Sequence, residues 1–208
     1  MPQAYASPGA VLWLHGLGAT ADDFAGLGRA IGRTELQWLL PQAPQRALTL
    51  FGGERAAAWY DLIAPWGAGE RAKKADVDDI CAQLQRLIQV EVPDPRRLVI
   101  GGFSQGAATA QRLVAGLPFP IAGLVAFSGY PIDLPWAPTA VAPCPALVAH
   151  GRIDDVVPLS GGRASVAALE ARGHAVRWCE TPAAHAVHPS QITALRGFFA
   201  EVLPPIGA

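Results

Sequence analysis

Six short apolar runs, at residues 11–14, 37–40, 97–100, 121–127, 146–149 and 175–179, alternate with longer amphipathic stretches along this 208-residue chain. No other feature restricts the fold as strongly. Near-continuous apolar runs of this length suit strands covered on both faces, and strand–helix alternation implies a mostly parallel sheet with right-handed crossovers. His15-Gly16 follows the first run, Pro41 the second and Gly101-Gly102 the third. The clearest helix starts at Asp76, with Val77, Ile80, Cys81, Leu84, Leu87 and Ile88 on one 3.6-residue stripe. Asp76, Asp78 and Asp79 fall near its first turn, where the helix dipole favours negative charge. Residues 158–172 and a segment opened by Pro189, with Ile192, Leu195, Phe199 and Val202 inward, predict two more helices. The predicted class is α/β, with helices on both faces of the sheet and residues 1–208 in a single domain. Residues 42–69 break the alternation as a long irregular stretch with Leu50, Phe51, Trp59, Tyr60 and Trp66. Long loops in compact domains are often functional.

Composition excludes several classes. Hydrophobic residues make up 51% and charged residues 16%, too apolar a mixture for a disordered chain. A net charge of −1 leaves no basic excess for a phosphate backbone, so nucleic acid is not an expected partner. The mean hydropathy of +0.25 points to an apolar ligand or an apolar face such as that of a homodimer. Residues 113–132 are long enough to span a bilayer, but Gly116, Pro118, Pro120, Gly123 and Gly129 divide them. They read as a helix end, a turn and a strand, with no membrane insertion. Residues 1–10 lack a basic region followed by an apolar one, so a cytoplasmic protein is expected. Cys81, Cys144 and Cys179 are widely spaced with no C-x-x-C, and read as small buried hydrophobes, not as a disulfide scaffold or zinc site.

The chemistry enters after the third run, where Gly102-Phe103-Ser104-Gln105-Gly106 leads into a helix-like stretch at 105–114. A G-x-S-x-G between strand and helix is the pattern of a nucleophile elbow. Its turn is so sharp that the positions two before and two after the serine approach neighbouring backbone, and only small residues fit. Six serines among 208 residues with 22 glycines would give this pattern about 0.07 times by chance, before the flanking elements are considered. A serine hydroxyl needs a base. Where such elbows occur, the chain order is Ser, acid, His, with the histidine after the last strand. Of the five histidines, His15 and His150 close strands and His174 behind Gly173 reads as solvated, which leaves His185 and His188. The acid belongs after the penultimate strand, where Asp154 and Asp155 stand, although either also suits a turn or a helix cap. Oxyanion donors would be the N–H of Gln105 and one from His15-Gly16-Leu17-Gly18, for which Leu17 is chosen. Neither a G-x-x-x-x-G-K-[ST] nor a G-x-G-x-x-G after a strand is present, which argues against a phosphate cradle.

These segments together resemble the phospholipase/carboxylesterase family of α/β-hydrolases, which includes the acyl-protein thioesterases. Leu14-His15-Gly16-Leu17-Gly18, Pro41-Gln42-Ala43-Pro44, Trp59-Tyr60-Asp61, Gly101-Gly102-Phe103-Ser104-Gln105-Gly106 and the run from His150-Gly151 to Val157-Pro158 carry the resemblance over nearly the whole chain. It implies an α/β-hydrolase fold with Ser104 as nucleophile, Asp154 as acid, His185 as base, His188 non-catalytic, and Leu17 and Gln105 as oxyanion donors. The sequence departs from the family pattern at Ala19, Ala107, Asp155 and Ala184, none of them in that set. The implied activity is a serine carboxylesterase needing no cofactor or metal and acting on small-molecule or lipid-like esters. An acyl-protein thioesterase or lysophospholipase is the alternative. A non-catalytic binding protein on the same scaffold is the rival from another class, but it would have no need of an intact Ser–Asp–His set. Residues 42–69 are the candidate acyl slot, with Trp59 as the candidate substrate contact.

Overall fold

A computed structural model describes residues 8–135 and 143–205, so most of the 1–10 segment from which a cytoplasmic protein was expected lies outside the described residues. In chain order the elements are β1 (Ala10–Leu14), α1 (Leu27–Ile31), β2 (Gln37–Leu39), β3 (Gln45–Leu48), β4 (Glu54–Ala57), α2 (Lys74–Glu91), β5 (Leu98–Phe103), α3 (Gln105–Gly116), β6 (Gly123–Phe127), β7 (Ala146–Gly151), α4 (Leu159–Glu170), β8 (Val176–Thr181) and α5 (Pro189–Val202). Six strands form one sheet in the order β2-β1-β5-β6-β7-β8, every neighbouring pair parallel.

Alternation along β1 shows how the sheet is covered. Ala10, Leu12 and Leu14 join a core with Leu84 of α2, Leu113 of α3 and Leu169 of α4. Val11 and Trp13 face the other way, into a core with Leu27 of α1 and Leu195 and Phe198 of α5. Successive strand residues point to opposite faces, so both faces are buried and the strands can be apolar throughout. Each fully buried Leu, Val or Phe contributes roughly 1.5–3 kcal/mol. The expected α2 stripe is realised, with Val77, Ile80, Leu84 and Ile88 buried. Residues 113–132 comprise the end of α3, a turn and β6, and among the described residues no helix is long and apolar enough to cross a membrane.

Three expectations need correction. β5 does not stop at Gly101 but runs to Phe103. A Cβ at Gly101 would stand 2.6 Å from the Trp13 ring, so this glycine makes room for an indole within the strand. Residues 42–69 are not wholly irregular, since β3 and β4 pair as an antiparallel hairpin with Leu48 opposite Glu54. His174 is half-buried, with Nδ1 2.9 Å from the Cys144 carbonyl oxygen, and burial lowers its pKa.

The chain order reverses across the sheet between β1 and β5. Crevices outside the carboxyl ends of strands at such a switch point are where open α/β sheets bind ligands. Here that position holds His15-Gly16-Leu17 after β1 and Ser104 after β5.

Candidate active site

Ser104 joins β5 to α3 with φ 54° and ψ −120°, a pair that only surrounding structure can impose on a residue with a side chain. The cause is backbone crowding. A Cβ at Gly102 would lie 2.6 Å from the Gly106 carbonyl carbon, and one at Gly106 would lie 2.1 Å from the Leu14 carbonyl oxygen. The two glycines thus let the turn close on itself and against β1, lifting Ser104 to the N-terminus of α3.

His185, in the β8–α5 connection, places Nε2 2.9 Å from Ser104 Oγ. Its Nδ1 lies 2.8 Å from Asp154 Oδ2 in the segment after β7. Asp154 Oδ1 accepts the N–H groups of Val156 and Val157 at 3.0 and 2.8 Å. A carboxylate so held acts as an acceptor, which assigns the imidazole hydrogen to Nδ1 and leaves Nε2 to accept from the serine hydroxyl. The Asp154 side chain is buried while Asp155 is exposed, which separates the two aspartates. His188 is not in the cluster. Its Nδ1 accepts the Ser190 N–H and caps α5. Beneath the carboxylate lies a residue the sequence reading passed over. His150 is fully buried, bonds the Val157 carbonyl oxygen through Nε2 at 2.8 Å, and stands 3.5 Å from Asp154 Oδ2. Burial lowers its pKa, so it stays neutral beside the carboxylate.

Gln105 is the first residue of α3, where its N–H has no intrahelical acceptor. The Leu17 N–H donates to no backbone carbonyl among the described residues. Both residues border the same cleft as Ser104 and His185. The Gln105 side chain has a separate task, accepting the Trp59 N–H at 2.9 Å and donating to the Tyr60 carbonyl oxygen at 2.9 Å.

Trp59 is corrected by this arrangement. Its side chain is 1% exposed and borders no cleft that contains Ser104. Its Nε1–H donates to the His15 carbonyl oxygen at 2.8 Å, tying residues 57–60 to the first loop. The same stretch of chain does reach the cleft, through Leu50, Phe51, Leu62 and Trp66, in a cavity of about 320 Å³. Asp61 fixes this wall by accepting the Thr49 N–H and hydroxyl, each at 2.7 Å. Tyr130 and Arg71 complete it, neither foreseen, because one follows a strand end and the other lies in a segment with no periodic pattern. A second cleft, of about 270 Å³, also borders Ser104 and His185 and includes Asp23, Phe24 and Val187.

A sequence model of the family described as phospholipase/carboxylesterase matches residues 3–203. Acyl-protein thioesterase 1 of Gibberella zeae is 29% identical, covering 98% of this chain and 94% of that protein. Acyl-protein thioesterase 1 of Neurospora crassa is 31% identical, covering 94% and 87%. Among solved structures, SOBER1 of Arabidopsis thaliana has a TM-score of 0.85 at 22% identity, covering 94% of this chain and 99% of that one. Acyl-protein thioesterase 2 of Zea mays has a TM-score of 0.78 at 26% identity, covering 98% and 96%.

Proposed function

The chain belongs to the phospholipase/carboxylesterase family of α/β-hydrolases and is a hydrolase of ester or thioester bonds, and we propose that it works as a serine carboxylesterase through Ser104, His185 and Asp154. The observation that carries this reading is the unbroken line from Asp154 Oδ2 through His185 to Ser104 Oγ, with contacts of 2.8 and 2.9 Å, ending at the junction of two clefts.

In the proposed mechanism His185 Nε2 takes the hydroxyl proton as Ser104 Oγ attacks the carbonyl carbon. Asp154 holds the imidazole by Nδ1–H and stabilises the imidazolium. The N–H groups of Leu17 and Gln105 receive the oxyanion, each donor contributing roughly 3 kcal/mol in the transition state. As the intermediate collapses, the C–O bond to the alcohol breaks and His185 returns its proton to the leaving oxygen. Water then repeats the sequence on the acyl-enzyme, releasing the acid and restoring the serine. The two clefts accommodate the two halves of the ester, and the 320 Å³ cleft, walled by Leu50, Phe51, Leu62 and Trp66, takes the acyl half. That volume is near the lower end of ligand pockets and favours a short acyl group.

The names of the curated relatives support a second reading, thioester cleavage on acylated protein. Rates on butanoyl and hexadecanoyl esters and thioesters discriminate the two, a short-chain oxygen ester being preferred under the first. Reaction with a fluorophosphonate probe tests the nucleophile. The adduct is expected on the peptide containing Ser104 and absent in Ser104→Ala, whose turnover falls at least about 10³-fold. Labelling elsewhere, or turnover kept by the variant, removes the mechanism.

A further inference from the structure

The cleft assigned to the acyl group is lined by aromatic and aliphatic side chains, yet it contains a guanidinium. The Cζ of Arg71 lies 4.6 Å from the centre of the Trp66 ring and 4.2 Å from that of Tyr130. Two aromatic faces hold the group in place and leave the N–H edge of its fork to find acceptors. The Tyr130 hydroxyl is the one side-chain acceptor beside it among the described residues. Nε is buried without a hydrogen-bond partner, and among the described residues no carboxylate pairs with Arg71. Asp133 borders a neighbouring depression shared with Arg71, but no ion pair joins them. The segments outside the described residues, 1–7, 136–142 and 206–208, contain no acidic side chain that could pair with it. The Tyr130 hydroxyl is shared between the guanidinium and the Tyr60 hydroxyl, which it meets at 2.7 Å, and as a neutral group it offers no counter-charge. A wall needed only to shape an apolar slot would be made more cheaply from an aliphatic residue, because Arg71 is half-buried and a partly desolvated cation without a counter-charge is unfavourable.

We propose that Arg71 is the receptor for a carboxylate at the far end of the acyl chain, so that the substrates are monoesters of short dicarboxylic acids. The reacting carbonyl sits at Ser104, the intervening methylenes lie against Leu50, Leu62 and Trp66, and the distal carboxylate meets the guanidinium where Arg71 borders the cleft. The fork geometry of arginine matches a planar carboxylate. Hydrolysis then converts a singly charged half-ester and water into an alcohol, a dicarboxylate and a proton. This inference rests on the esterase reading of Ser104 and names the acyl class.

The test measures kcat/KM on methyl butanoate, methyl pentanoate and the monomethyl esters of succinic, glutaric and adipic acid. In the native protein at least one half-ester is expected to exceed the neutral ester of matched length by about 10- to 100-fold. Arg71→Met should bring that ratio down to about one, and Arg71→Lys should keep part of it, since the charge remains without the fork. Thermal melts establish that each variant is folded. If Arg71→Met does not fold, competitive inhibition of the native protein by glutarate, stronger than by butanoate and weakened by salt, supplies the same answer. A native ratio at or below one overturns the proposal, as does a ratio unchanged in folded Arg71→Met. A preference for esters whose carboxylate is on the alcohol half also overturns it. Hydrolysis of neutral esters with no preference for half-esters sinks this inference alone, whereas no hydrolysis of any ester sinks the reading of Ser104.

Discussion

A side-chain carbon at Gly106 would stand 2.1 Å from the Leu14 carbonyl oxygen and 2.5 Å from that of His15, so no side-chain rotation relieves the contact. Backbone must move, and the backbone in question carries both Ser104 and the loop that presents Leu17. Gly106→Ala is therefore expected to lower stability by about 1–3 kcal/mol and turnover by about 100-fold, through displacement of the hydroxyl from His185. Gly197, exposed in α5, provides the contrast, because a Cβ there meets nothing within 4 Å. Gly197→Ala should raise stability by about 0.8–1 kcal/mol by helix propensity and leave turnover alone. Urea unfolding and ester hydrolysis on both variants check the pair. Equal effects from the two glycines would mean that the elbow's crowding does not hold Ser104 in place.

At the level of elements, the hairpin β3–β4 and the segment after it form the cleft wall without belonging to the main sheet. Three attachments secure this wall: Gln105 to the backbone of Trp59 and Tyr60, Trp59 to the His15 carbonyl, and Asp61 to Thr49. Trp59→Phe removes the indole donor from a buried carbonyl and should cost about 1–3 kcal/mol of stability with no change in the ratio of rates on long and short acyl esters. Leu62→Ala, by contrast, should shift that ratio toward bulkier acyl groups, because Leu62 borders the cleft. A chain-length change in Trp59→Phe would return that residue to the substrate. The wall also marks where sequence stops being readable. β1, β6 and β7 declare themselves because burial on both faces demands apolar runs. β3 and β4, reading Gln45-Arg46-Ala47-Leu48 and Glu54-Arg55-Ala56-Ala57, lie largely exposed and contain no β-branched residue, so nothing in their pattern announces a hairpin. The aromatics of 42–69 are visible in the sequence, but which of them face the cleft depends on the bonds at Gln105 and Asp61. A steric rule points to Ser104, and a fixed chain order narrows the acid to Asp154 or Asp155 and the base to His185 or His188, the choice within each pair being what the family resemblance implies. Arg71 obeys no such rule.

Across the whole molecule, one parallel sheet gathers residues 15–17, 104, 154 and 185 at its carboxyl edge, each from the end of a different strand. Gathering them this way also buries histidines that take no proton in the proposed mechanism. His15 and His150 both have pKa values lowered first by desolvation, with backbone hydrogen bonds to Gly16 and Val157 opposing. At His150 the Asp154 charge also favours the proton and the nearby His185 disfavours it. His150 has to stay neutral for the site to work as proposed, because an imidazolium 3.5 Å from Asp154 Oδ2 would draw on the carboxylate that orients His185 at 2.8 Å. The same neutrality makes the fold's stability depend on pH. A histidine whose pKa is lowered in the folded state binds its proton more readily when unfolded. Its contribution is therefore complete above the unfolded value of about 6.5 and is lost as pH falls through the folded one. Unfolding free energy from urea titrations is expected to be level between pH 7 and 8, then to decline below about 6.5 at up to about 1.4 kcal/mol per pH unit for each such histidine. That window lies above the range where ordinary carboxylates take up protons, about 3.9–4.3. Replacing His150 by Gln, which keeps a donor for the Val157 carbonyl but cannot titrate, should flatten the decline by one histidine's share. If stability holds level from pH 7 to 5, or if the slope is the same in the variant, His150 is not held neutral by burial and Asp154 is not reserved for His185.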